Sequence, residues 1–166
     1  SSYTGTFETA DGWIVANSAI QCGGSQDMNP QFVVIGPDNT HKAPCLNGKT
    51  SAAGTLTSPT LTGGISKLTI DYTKMFTDTK LGATITITDI ATGAVYTNTL
   101  SKEADKNDKY TVWTFEWVLE TPITGDFTIE IVNNSPSANT GNKDRLTILA
   151  LTWEGAAAEE PETPDE

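Results

Sequence analysis

In the stretch Thr84-Ile85-Thr86-Ile87-Thr88, hydroxylated and aliphatic residues alternate strictly, and much of the chain repeats the habit. A period of two puts every second side chain on the same face of an extended strand, so one face is apolar and the other polar. Threonine suits this role because branching at Cβ restricts its rotamers and favours the pleated backbone. It fills 28 of 166 positions, enough to spread hydroxyls over whole sheet surfaces. No segment carries a convincing helical period.

Breakers divide the alternating runs. Phe7, Trp13, Ile14 and Val15 flank an Asp11-Gly12 turn and read as an opening strand pair. Further strands are expected at 32–35, 67–72, 83–90, 94–100, 110–120, 126–132 and 145–153. Residues 55–61 read as an edge strand, because Pro59 cannot donate to a ladder. Residues 38–54 read as loop, broken by Pro44, Asn47-Gly48 and Gly54. Ala91-Thr92-Gly93 joins its neighbours as a tight hairpin. About eight to ten strands with long connections predict an all-β chain: an antiparallel two-sheet β-sandwich of jelly-roll type.

A length of 166 residues suits one domain with a sizeable core, which we place at 1–153. The net charge of −11 is concentrated beyond it. Residues 154–166 hold six acids and no base, leaving 15 acids against 10 bases elsewhere. Pro161 and Pro164 stiffen this segment and like charges extend it, so 154–166 reads as an acidic linker or tail tethering a second module. An acidic chain with scattered lysines is a poor nucleic-acid binder. No apolar run approaches the ~18 residues of a membrane span. The chain starts at Ser1 without a charged-plus-apolar leader and is expected to be a mature or excised monomeric domain, secreted or at the cell surface. Cys22 and Cys45 fit either a disulfide in an exported protein or two buried thiols. With His41 they would offer three zinc ligands, but without the tight Cys-x-x-Cys spacing.

The usual signatures of catalysis are missing. The lone histidine, His41, stands beside Lys42 in a turn-rich loop. There is no Gly-x-Ser-x-Gly elbow and no phosphate-binding glycine loop. Asp71, Asp89, Glu116 and Glu130 each sit among hydroxylated residues, as acids on a solvent face do, and not as an acid–base pair across a cleft. The chain is therefore expected not to be an enzyme.

Rings and cations are what it does offer. Aromatic faces stack on pyranose C–H patches while planar polar groups take hydroxyls. The candidate rings are Trp113, Trp117, Tyr110 and Tyr96, with Tyr72 beside them. Along 110–120, Trp113, Phe115, Trp117 and Leu119 share one face, and Tyr110, Val112, Thr114, Glu116 and Val118 the other. The first face is either core or a sugar platform; if it is core, the Tyr110, Thr114, Glu116 side is the binding face. Lys74, Lys102, Lys109 and Lys143 are the candidate cations, since ammonium groups pair with uronate carboxylates. No cofactor is expected, save a structural calcium on Glu103, Asp105, Asn107 and Asp108, which the interleaved lysines oppose.

Several landmarks recur in a set order. Phe7-Glu8-Thr9 precedes Gly12-Trp13; Leu46-Asn47-Gly48-Lys49-Thr50-Ser51 precedes Gly54-Thr55-Leu56. Later come Ile131-Val132-Asn133-Asn134-Ser135-Pro136-Ser137 and Asn142-Lys143-Asp144-Arg145, before a last strand ending in Trp153. The set resembles secreted β-sandwich carbohydrate-binding modules appended to pectate lyases and related plant-wall enzymes of polysaccharide-degrading bacteria. The likeness covers about residues 6–153. It implies a non-catalytic module that brings a tethered enzyme to plant cell-wall polysaccharide. Pectin of the homogalacturonan kind is favoured, by the resemblance together with the distribution of the lysines. Neutral β-glucan or xyloglucan held by Trp113 and Trp117 is the alternative within that class. A cell-surface structural or adhesion domain without a glycan ligand is the alternative outside it.

Overall fold

The computed structural model describes residue 3 and residues 5–8, 12–21, 43–138, 140–141 and 143–156. Cys22, His41, the expected strand at 32–35 and the tail from 157 onward lie outside the described residues. Ten strands are present among the described residues: β1 (Gly5–Glu8), β2 (Ile14–Gln21), β3 (Ala43–Leu46), β4 (Thr55–Thr57), β5 (Ile65–Thr73), β6 (Lys80–Asp89), β7 (Val95–Glu103), β8 (Trp113–Ile123), β9 (Phe127–Asn133) and β10 (Leu146–Glu154). Every pairing between them is antiparallel.

Hydrogen bonding runs in the order β7-β6-β9-β4-β2-β3-β10-β5-β8. The path folds over at β2. β1 occupies one edge of that strand. The other edge is shared, with residues 14–16 on β4 and residues 18–21 on β3. Asn17 stands between the two segments at φ 51°, a left-handed conformation that asparagine tolerates better than most residues. One strand thereby feeds two layers, β7-β6-β9-β4 and β3-β10-β5-β8. From β4 to β10 the chain changes layer at every connection except β6 to β7, and this wrapping gives the antiparallel sandwich its jelly-roll form.

The two inner faces make the core. Leu68 and Ile70 of β5 and Leu151 of β10 join Ile85 and Ile87 of β6 and Ile129 and Ile131 of β9, all fully buried. Each such side chain contributes ~1.5–3 kcal/mol by leaving water. Trp13 is also fully buried, 6.3 Å from Trp153, which meets Phe127 edge-on at 6.0 Å. The threonines of β6 and β7 stand outside. Thr84 is opposite Thr99 and Thr86 opposite Thr97, coating the outer surface of the first layer.

A smaller cluster covers the outer face of the second layer. A bulge between Ile148 and Ala150 leaves Leu149 on that face, where it packs with Ala43 and Met75, and Phe76 and Tyr110 lie against them. The Arg145 guanidinium sits 3.9 Å from the Phe76 ring centre and donates through Nε to Asp78 at 2.9 Å.

The landmark residues of the sequence meet at one end of the sandwich. Buried Asn133 donates through Nδ2 to the carbonyls of Leu46 at 3.1 Å and Asp144 at 2.6 Å, and its side-chain oxygen accepts the Ser135 N–H at 2.8 Å. The Asp144 carboxylate accepts the Ser137 N–H at 2.8 Å. Gly54 donates to the Asn47 carbonyl at 2.7 Å and accepts the Asn133 N–H at 2.9 Å. A Cβ on Gly54 would overlap the backbone of Leu46 and Asn47, so only glycine permits this approach. These landmarks hold loops together.

Two expectations change. Residues 43–46, read as loop, form β3. Pro44 is tolerated there because β10 pairs only with Leu46 and Cys45, so one side of Pro44 needs no donor. Residues 55–61 are not an edge strand. β4 ends at Thr57 and lies between β2 and β9, with Pro59 past its end. At the other terminus β10 runs to Glu154, and the Ala156 N–H donates to the Gly63 carbonyl at 3.1 Å.

Candidate functional site

Two strand edges face each other without a ladder between them. Among the described residues β7 pairs only with β6, and β8 only with β5, so each ends its own layer. Alternation turns Tyr96, Asn98, Leu100 and Lys102 of β7 inward, and Trp113, Phe115, Trp117 and Leu119 of β8 likewise. The rows run antiparallel across the opening. At one end the Lys102 ammonium lies 5.3 Å from the centre of the Trp113 ring. At the other, Tyr96 and Asn98 share a groove of about 520 Å³ with Trp117 and Leu119, completed by Val95, Thr97, Val118 and Glu120.

Position at the sheet edge explains the state of the rings. Trp113, Phe115 and Trp117 pack against the core, and Trp113 lies 5.9 Å from Tyr72. Among the described residues no further strand covers them, and they are half-buried. The two alternatives left open by the sequence merge: the same row is core on one side and groove on the other. Val118 at 70% and Val95 at 58% are the most exposed large apolar side chains among the described residues, and both border this groove. An apolar rim over half-buried rings loses its water readily, a mark of binding surfaces. Asn98 supplies an amide and Glu120 a carboxylate. Rings for C–H faces, with planar groups for hydroxyls, are what a pyranose chain requires.

The eight expected ligand residues scatter. Trp117 and Tyr96 line the groove, and Trp113 with Lys102 stands further along the two strands, outside its lining. Lys74 does not belong to it. It is fully buried, and its ammonium donates to the carbonyls of Asp78 at 2.8 Å and of Asp105, tying two loops together. Tyr110 precedes β8 at φ 64°, gives its N–H to the Lys74 carbonyl at 2.9 Å, and packs on the outer cluster. Lys109 is exposed in the same loop. Lys143 borders a separate cavity of about 480 Å³ with Asp78, Asp144 and Arg145. Lys67 pairs with Glu116 at 3.4 Å. The expected basic patch is therefore dispersed. Asn98, Glu120, Val95 and Val118 escaped the sequence reading. Val118 carried a signal, being apolar in the outward row of Thr114, Glu116 and Glu120.

Two of the four candidate calcium ligands, Asp105 and Asp108, are engaged with their own turn. Asp105 Oδ1 accepts the Asn107 N–H at 2.8 Å, and Asp108 Oδ2 accepts the Asp105 N–H at 3.0 Å. Among the described residues no three acidic, histidine or cysteine side chains gather as a metal set. Cys45 is fully buried, its Sγ 4.0 Å from the Tyr3 hydroxyl, and burial pushes its thiol up to about 11. No helix among the described residues is long and apolar enough to cross a membrane.

Neither a protein-family model nor a curated protein matches the sequence. Solved structures match it in shape. One is the crystal structure of the Agl-KA catalytic domain, at 13% identity and a TM-score of 0.52, over 98% of this chain and 29% of that one. Another is the Clostridium thermocellum endo-1,4-β-D-xylanase 10B structure with CBM22-1 and GH10 modules, complexed with xylohexaose. It has 15% identity and a TM-score of 0.50, over 95% of this chain and 29% of that one. A third is CsCBM6-3 from Clostridium stercorarium in complex with cellobiose, at 12% identity and a TM-score of 0.43, over 92% of this chain and 99% of that one. The present chain spans about 29% of the length of the first two. What it shares with them is the fold of a single β-sandwich unit.

Proposed function

We propose that this chain is a non-catalytic carbohydrate-binding module whose ligand lies in the groove between β7 and β8. The observation that carries the reading is the conjunction there of half-buried Trp117 and Tyr96, an amide and a carboxylate, and an exposed apolar rim. Among the described residues the groove's lining holds one acid, Glu120, which does not make the carboxylate pair of a glycosidase. A tethered catalytic partner is part of the proposal. It rests on the acidic, proline-containing segment 154–166, and the xylanase of like fold carries its module beside a GH10 module.

The ligand class follows from charge. A polyuronate carries a carboxylate on each ring and calls for a row of cations. Among the described residues the groove lining offers none; Lys67, opposite Val118 on β5, is paired with Glu116, and Lys102 lies over Trp113. A neutral β-linked glycan, of the glucan, xyloglucan or xylan class, suits this lining better than homogalacturonan. Affinity electrophoresis against those polymers and polygalacturonate tests the reading. Neutral polymers should retard migration, equally at low salt and at about 0.5 M, where ionic contacts are screened. Retardation by polygalacturonate alone, lost in salt, would restore the pectin reading. Retardation by none would favour an adhesion domain.

A further inference from the structure

We infer that β7 pairs with β7 of a second copy of this chain, antiparallel, about a two-fold axis at Asn98. The inference stands apart from the glycan reading and concerns the backbone edge that borders the groove. Among the described residues β7 has a partner on one side only, and β6 meets it at nine successive positions without a register shift. Its other edge offers a row of unpaired N–H and C=O groups, a template for one more strand. Folded proteins blunt such edges with proline, bulges or charge. β8, which ends the other layer, carries Glu116, Glu120 and Pro122, and its pairing with β5 contains a register shift. β7 has no proline, and its charges, Lys102 and Glu103, are its last two residues. The run Val95-Tyr96-Thr97-Asn98-Thr99-Leu100-Ser101 is uncharged in a chain of net charge −11.

That neutrality selects a second copy as the occupant. Two copies of an acidic chain repel one another, and meet at least cost along a strip that carries no charge. Directly opposed residues of an antiparallel pair lie on one face, so inward rows must align with inward rows. A two-fold axis at Asn98, the midpoint of the uncharged run, meets this condition over the whole of it. Thr97 then stands opposite the partner's Thr99, Tyr96 opposite the partner's Leu100, and the two Asn98 amides opposite each other. Threonine pairs of this kind add to the stability of a ladder. Lys102 and Glu103 fall opposite the partner's Ala94 and Gly93, so no like charges meet. The first layers of the two copies become one sheet. Tyr96 and Asn98, which line the groove of each copy, adjoin their counterparts on one face of it. A dimer departs from the monomeric domain expected from the sequence.

Sedimentation equilibrium of the full chain, from about 1 μM to about 1 mM, reads the assembly. The mass should rise from one copy to two and stop there, because the pairing consumes the free edge. Amide exchange should show 95–101 gaining protection as concentration rises. Thr97 and Thr99 are both exposed and tolerate substitution. Thr97→Lys with Thr99→Lys sets like charges across the axis and should raise the dissociation constant about tenfold, although it makes the chain less acidic. Thr97→Lys with Thr99→Glu sets opposite charges there and should recover that loss. A wild-type chain that stays monomeric throughout overturns the inference, and so does a dimer whose 95–101 amides gain no protection. Two double variants that dissociate alike also overturn it, because the Asn98 register is what separates them. None of these readouts involves a glycan, so the proposed function stands or falls separately.

Discussion

Lys74 and Trp117 show how far one side chain's role depends on where the chain has placed it. Both were expected to touch ligand. Lys74 is instead fully buried and satisfies two carbonyls. Lys74→Met keeps the aliphatic stem but removes both donations. It should lower stability by about 2–3 kcal/mol, the cost of leaving buried carbonyls unpaired, and leave glycan retention by the folded protein unchanged. Urea denaturation and affinity electrophoresis read the two effects. Trp117 should behave in the opposite way. Trp117→Ala removes a half-buried ring from the groove, and should weaken retention at least tenfold, about 1.4 kcal/mol, with the fold retained by circular dichroism.

Elements derive their roles from their neighbours. β7 and β8 are ordinary alternating strands, and only their place at the ends of the two layers makes their inner rows accessible. β3 and β4 show the converse. Both are short and proline-adjacent, and they are strands because longer partners pair with them. The loops at the landmark end depend on Asn133, which joins β9 to the segments around Leu46 and Asp144. Asn133→Ala leaves two carbonyls and an amide without their partner, and should cost about 2–4 kcal/mol in a urea titration. Gly54→Ala should fold poorly at any temperature tested, because its Cβ meets backbone that cannot move aside.

At the scale of the whole molecule, pH acts through a buried thiol. Burial raises Cys45 from its ordinary 9.0 to about 11. The folded state therefore keeps a proton that the unfolded state releases first. The sign is fixed: stability is fully present below pH 9.0 and declines as pH rises toward about 11. Denaturant midpoints at pH 8 and pH 10.5 should show this loss. It should shrink in Cys45→Ala once that variant's own cavity penalty at pH 8 is subtracted. Tyr3, also raised by burial, should leave some alkaline sensitivity in that variant.

The class of fold was legible in the residues alone, because alternation with β-branched side chains leaves the chain few options but sheet. The sequence located β5 to β10 to within a few residues and put the aromatic row of β8 on one face, since side-chain parity is a local property. It did not reveal β3, whose Pro44 reads as a breaker until the one-sided pairing with β10 is known. Nor could it distribute the lysines, because whether Lys74 or Lys102 meets solvent depends on loops and strands far along the chain. The groove was likewise invisible, since Tyr96 and Trp117 lie on strands that never pair and meet only because two layers end side by side. Local periodicity fixes which way a residue points; only the assembled sandwich decides what stands in front of it.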